Sequence, residues 1–242
     1  MSGLFFNLGR SVGYAAIPAI RKSKSVWKSL TGDEAESVQA QQEFGRALAA
    51  ELRLKVRLSQ DVAERTQLQK IIDRLSARLR NKERTFRVEV LVDAEPSALA
   101  LPGGFIFIST GLLDFCERNA DELAFLLGHE IGHVVRGHAL ERVLKRIGTE
   151  GLSAVLSRGL LNPALREAGL KWLEQSHSRE AELDADEFGM RVALAGGYDG
   201  QAALRLLDRI AARRKTLKVL GHYFSSHPAE PDRAAPLQAL LK

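Results

Sequence analysis

The stretch Leu126-Leu127-Gly128-His129-Glu130-Ile131-Gly132-His133-Val134-Val135 decides how this chain is read. Together with Leu123 and Phe125, its apolar residues leave almost no polar face. A helix that is hydrophobic all round is a buried helix. The period predicts one running from Asp121 to about Gly148. Residues four apart share a helix face, so His129 and His133 present two imidazoles to one point. Glu130 projects to the side, within reach of a water between them. Two ligands with a general base beside them is the arrangement of the HExxH segment. A buried His-Glu-His group needs partners to offset its desolvation, and a metal supplies them. Gly132 costs helix stability by about 1 kcal/mol but lets another element approach closely.

A catalytic zinc site ordinarily takes a third protein ligand. Cys116 is the only cysteine, with no CxxC or Cys/His cluster, so any ligand must be His, Asp or Glu. The extended pattern HExxHxxGxxH fails, because Arg136 and Ala139 stand where its glycine and last histidine belong. His138 is displaced by one position and reads as a structural or supporting residue near the helix end. The best source of the third ligand is Ser178-Arg179-Glu180-Ala181-Glu182-Leu183-Asp184-Ala185-Asp186, on a later helix predicted over Ser178–Ala195. Glu182 and Asp186 share a face, so Glu182 could bind the metal while Asp186 accepts the outer N–H of a ligating histidine. Glu180 and Asp184 form a competing pair, rotated away.

The rest of the chain places this site in an α+β protein. From Asp33 to about Arg80 there is no proline and the apolar residues keep helical spacing, giving one long helix or two with a break near Ser59. Phe86, Val88, Val90 and Val92 alternate with Arg87, Glu89, Leu91 and Asp93, which is a half-buried strand. Phe105-Ile106-Phe107-Ile108 reads as a second, after the turn signal Leu101-Pro102-Gly103-Gly104. The two are expected in one small antiparallel sheet, whose exposed edge could hold an extended peptide. Further helices are expected at Gly151–Leu161, Pro163–Gln175 and Gln201–Lys215, with a short closing helix in the tail.

Two segments divide the chain: a basic N-terminal arm, 1–32, and one domain, 33–242. The net charge of +5 belongs mostly to the arm, which carries Arg10, Arg21, Lys22, Lys24 and Lys28 and no acid. No run in it approaches the roughly 20 apolar residues of a membrane span. Its positive charge mostly follows the apolar run, the reverse of a secretory signal. The expectation is a cytoplasmic protein whose arm either packs on the domain or lies on an anionic membrane surface. No basic patch interleaved with aromatics occurs in the chain, so nucleic acid is not an expected partner.

Several segments in order resemble the M48 family of metallopeptidases, the group of the CAAX-prenyl and HtpX-type peptidases. They are Leu101–Leu113 (LPGGFIFISTGLL), Leu126–Ala139 (LLGHEIGHVVRGHA), Ser178–Asp186 (SREAELDAD), Gly197–Leu207 (GYDGQAALRLL) and Ser225–Arg233 (SSHPAEPDR). The resemblance covers about Asp33 to Leu241. It implies a gluzincin-like fold, mostly helical, with a small mainly antiparallel sheet beside the HExxH helix. It implies one zinc ion per chain held by His129, His133 and Glu182, with Asp186 supporting them. By the same resemblance the LPGG strand, Gly103, Gly104, Phe105 and Ile106, holds the substrate as an edge strand. His227 would stabilise the oxyanion or cover the metal, and Arg233 would help hold its loop. Many members carry membrane helices or a lipoprotein signal; this chain resembles a compact soluble member.

These readings imply a zinc-dependent endopeptidase that hydrolyses internal peptide bonds of unfolded or damaged proteins, with water activated by zinc and Glu130. Two alternatives from other classes remain: a zinc-containing peptide-binding protein without turnover, and a membrane-surface adaptor acting through the arm. The intact Glu130 argues against the first.

Overall fold

The computed structural model describes residues 34–138, 140, 141, 177–216, 227 and 233–242. The expected helices at 151–161 and 163–175, and the arm 1–32, lie outside the described residues. The chain forms α1 (Glu34–Arg53) and α2 (Val62–Ser76), then β1 (Arg87–Leu91) and β2 (Ala98–Leu101). A 3-10 turn (Pro102–Gly104) leads into β3 (Phe105–Ser109) and the short α3 (Thr110–Phe115). The helices α4 (Ala120–Val135), α5 (Arg179–Ala195), α6 (Gly200–Thr216) and α7 (Ala234–Ala239) follow. The predicted break near Ser59 separates α1 from α2.

The sheet is mixed and ordered β1-β3-β2. β1 and β3 run parallel, Val88 opposite Ile106 and Val90 opposite Ile108, which corrects their expected antiparallel pairing. The connection between them, residues 92–104, is long enough for the crossover that parallel neighbours need. It also contains β2, which pairs antiparallel on the other side of β3. The sequence carries little signal for β2, because Ala98-Leu99-Ala100-Leu101 has no β-branched residue.

β3 is therefore the central strand, buried along its whole length. Ile106 and Ile108 join the main core with Ile72 and Leu75 of α2 and Leu126 and Leu127 of α4. Phe105 and Phe107 join a second cluster with Phe44, Leu48 and Leu52 of α1. Burial on both faces explains the unbroken apolar run. It also corrects the edge-strand reading of Phe105 and Ile106: both hydrogen-bonding edges of β3 are already taken. Gly103 and Gly104 are packing positions. A Cβ on Gly103 would lie 2.5 Å from Gln42 Cα, and one on Gly104 2.1 Å from the Thr85 carbonyl oxygen. Among the described residues no helix is long and apolar enough to cross a membrane.

Candidate metal centre

Asn119 starts α4 by accepting the backbone N–H groups of Asp121 and Glu122, and residues 122–134 are all buried. The helix ends earlier than its apolar period suggests. Gly137 adopts a left-handed φ of +76°, the usual helix-ending conformation, and the chain turns helical again at His138; the rest of the expected span, 142–148, lies outside the described residues. Ser178 caps α5 by accepting the N–H of Ala181, which sets the register of the acidic run. α5 then lies against α4 at closest range through small residues. A Cβ on Gly128 would lie 3.0 Å from the Gly189 carbonyl oxygen, and one on Gly132 3.2 Å from Ala185 Cα. The close approach expected at Gly132 is thus made by α5.

This contact carries Glu182 and Asp186 to the histidines. Glu182 Oε1 is 3.3 Å from His133 Nε2, and its Oε2 is 3.6 Å from His129 Nε2. His129 Nε2 is 3.0 Å from His133 Nε2. Asp186 Oδ1 meets His129 Nδ1 at 2.9 Å from behind. His227 completes the group, its Nδ1 3.2 Å from His129 Nε2 and 3.0 Å from Glu182 Oε1. Its Nε2 faces Glu130 Oε1 at 3.5 Å. The side chains of His129, Glu130, His133, Glu182 and Asp186 are each only 1% exposed, and that of His227 is 3% exposed. Glu180, the competing candidate, is exposed.

Buried negative charge on α5 is balanced by Arg233. Its Nε and Nη2 donate to the two oxygens of Asp186 at 2.6 and 2.7 Å, and Nη1 lies 3.1 Å from Glu182 Oε2. The family resemblance assigns Arg233 only to its loop. The signal for its larger role is electrostatic: two acids on one buried helix face require a cation. His177, which no sequence motif singles out, stacks on His133 with ring centroids 3.7 Å apart.

The electrostatics suit metal binding. Burial alone would raise the pKa of Glu182, but the fields of His227 and His129 and bonds from His133 and His227 hold it well below the usual carboxylate range. At Asp186 burial is likewise outweighed, mainly by the charge and hydrogen bonds of Arg233, and the pKa is lowered. Burial and the neighbouring His129 push His133 well below its ordinary value, so it is neutral. Burial also opposes protonation of His129, but Glu182 and Asp186 raise its pKa. Both acids are thus ionised, as a metal-binding carboxylate and its neighbour must be.

The donor set fits a divalent cation. One ligand atom from each of His129, His133, Glu182 and His227 lies within 4.8 Å of the others. If neutral His129 keeps its proton on Nδ1 against Asp186, the Nε2 that faces the ring nitrogens of His133 and His227 carries the lone pair a cation needs. Glu130 Oε1 and Glu182 Oε2 are buried without an aligned hydrogen-bond donor. Nitrogen and oxygen donors without sulfur suit zinc and its neighbours.

The chain is similar in sequence to several known proteins. "Mitochondrial metalloendopeptidase OMA1" of Arabidopsis thaliana is 32% identical over 148 residues, 60% of this chain and 30% of that protein. "Metalloprotease YcaL" of Escherichia coli (strain K12) is 26% identical over 160 residues, 60% of this chain and 58% of that protein. "Putative beta-barrel assembly-enhancing protease" of Vibrio cholerae is 27% identical over 195 residues, 74% of this chain and 40% of that protein. The chain thus spans less than two thirds of the length of each of these relatives. The family model described as "Peptidase family M48" matches residues 62–241, from the start of α2 through α7, and on that match the chain belongs to peptidase family M48.

Proposed function

We propose that the chain is a zinc-dependent metalloendopeptidase that hydrolyses internal peptide bonds of unfolded or damaged polypeptides. The observation that carries this reading is the convergence of His129, His133 and Glu182 beside a buried Glu130 whose Oε1 has no aligned donor. His129, His133 and Glu182 would hold the zinc. Bound zinc supplies Lewis-acid polarisation of the scissile carbonyl and a lowered pKa for the attacking water. Glu130 takes the proton of that water and returns it to the leaving amine. Asp186, anchored by Arg233, keeps the Nδ1 proton on His129 and so keeps Nε2 free to coordinate.

Substrate would add to β2 rather than to β3. Among the described residues β2 is hydrogen-bonded on one side only, to β3, and α4 packs against it. An extended peptide pairing along Ala98–Leu101 would lie next to the helix bearing Glu130. The contact of His227 with His129, Glu182 and Glu130 favours the covering role over oxyanion stabilisation, since it fills the space a substrate carbonyl needs. The arm 1–32 is proposed as a peripheral contact to anionic membranes, with the domain on the cytoplasmic side. Sedimentation with phosphatidylserine vesicles tests it: the full chain should pellet with them, and a chain truncated before residue 33 should not.

The central test is metal analysis paired with cleavage of casein. Wild type should carry one zinc and cut; Glu130→Gln should carry the same zinc and lose about 10²–10⁴ of the rate. Equal cleavage by the variant would remove Glu130 from the mechanism. A zinc-loaded wild type that binds casein without cutting it would favour the peptide-binding alternative.

A further inference from the structure

His133 meets a second histidine on the side away from the converging atoms. His133 Nδ1 lies 3.0 Å from His138 Nδ1, and both rings are buried. In an unbroken helix, side chains five residues apart point about 140° away from each other. The contact exists because the helix is broken between them. Arg136 closes the last turn by donating to the Gly132 carbonyl, and the left-handed Gly137 donates to that of Val134. The reversal folds His138 back beneath His133. On its far side, His138 Nε2 faces Asp184 Oδ2 at 3.5 Å, and Asp184 Oδ1 is paired with Arg136 Nε at 3.1 Å. Asp184 is the α5 acid whose position in the helix turns it away from the converging atoms.

We propose that His138 is a positioning residue for the metal, accepting the outer N–H of His133 and so fixing Nε2 as the nitrogen that faces the site. This rests on the reading that His133 is a ligand. If Nε2 of His133 coordinates, its one ring proton sits on Nδ1. His138 must then present a lone pair from its own Nδ1 and carry its proton on Nε2, the nitrogen turned toward Asp184. The carboxylate favours that tautomer, and Arg136 holds the carboxylate. The two histidines of α4 thus have unlike supports. His129 leans on a buried carboxylate, whereas His133 leans on an imidazole whose own support, Asp184, is 39% exposed. Glu182 and Asp184, two residues apart on α5, serve the same histidine from opposite sides.

The test uses the full chain, with zinc affinity and dissociation rate read by competition with a chromophoric chelator. His138→Phe keeps a ring and removes the acceptor; it should weaken zinc binding about 10–100-fold. His138→Asn keeps an acceptor near the Nδ1 position and should restore most of that loss. Asp184→Asn, at a half-exposed position that does not threaten folding, should give a smaller loss. Cobalt substituted for zinc supplies a second readout: its visible absorption should shift in His138→Phe and return in His138→Asn. Wild-type affinity and spectrum in His138→Phe would overturn the proposal. So would equal weakness of Phe and Asn, since the ring would then only fill space. If His138→Phe does not fold by circular dichroism, the Asn and Asp184→Asn variants decide: the proposal falls if Asn binds zinc more weakly than Asp184→Asn. A wild type that binds no zinc would overturn the metal reading and this one together, whereas normal wild-type binding with indifferent variants overturns this one alone.

Discussion

A Cβ on Gly189 would lie 2.7 Å from the backbone nitrogen of His129, so α5 and α4 touch main chain to main chain at the level of the site. That contact sets how far Glu182 and Asp186 stand from the two histidines. Gly189→Ala should force the helices apart. In an exposed helix the same change would stabilise by roughly 1 kcal/mol. Here overpacking should instead cost about 1–3 kcal/mol. Thermal melting and zinc titration check both effects: Tm and zinc affinity should fall together. A higher Tm with unchanged affinity would mean that the close approach does not govern the site.

Glu182→Gln should weaken zinc binding by more than the roughly 10–100-fold typical of a supporting residue. Glu180→Gln, at an exposed position, should leave it unchanged. Dialysis against a series of chelator-buffered zinc concentrations measures both. The reverse order would exchange the two acids' roles.

His227→Ala should keep zinc and cleave casein at least as fast as wild type. The ring it removes lies 3.2 Å from His129 Nε2 and 3.0 Å from Glu182 Oε1, and under the proposed covering role its loss opens the site to substrate. Steady-state kinetics decide. A fall of about 10²–10³ in kcat with unchanged KM would instead mark His227 as an oxyanion donor.

Cys116 is fully buried, and burial, with Glu122 nearby, pushes its thiol up to about 12. An unfolded thiol ionises at about 8.5. Below that pH both states hold the proton and the contribution to stability is intact. As pH rises further the unfolded chain loses its proton while the folded chain keeps it, so stability falls until the folded value is reached. The loss should be about 2 kcal/mol by pH 10. Urea denaturation at pH 8 and pH 10 measures it, and Cys116→Val should flatten the dependence. An equally steep loss in the variant would assign it to other groups.

Much of this protein can be read directly from residue order. The apolar surround of His129 and His133 predicts a buried α4, and the Ser178 cap with its acidic run predicts α5 within one residue. Periodicity also marks β1, β3 and the long helices of the described chain, but not β2 or the short α3. It cannot say which strands pair. The direction of β3 against β1, and its central place, depend on where the 92–104 connection travels. That is why Phe105 and Ile106, implied by the resemblance to belong to an edge strand, lie in the central one.

Residue order alone pairs His129 with His133 and Glu182 with Asp186, because spacing along a helix fixes which side chains share a face. How those faces are supported depends on contacts between segments distant in the chain. The two pairs are brought together by glycine contacts between helices far apart in the chain, with His129 and Asp186 separated by 57 positions. Arg233 neutralises the acids from the C-terminal segment, and His138 reaches His133 only because Gly137 breaks the helix. Such contacts arise from long-range packing and charge balance, which leave no period in the chain for a sequence to display.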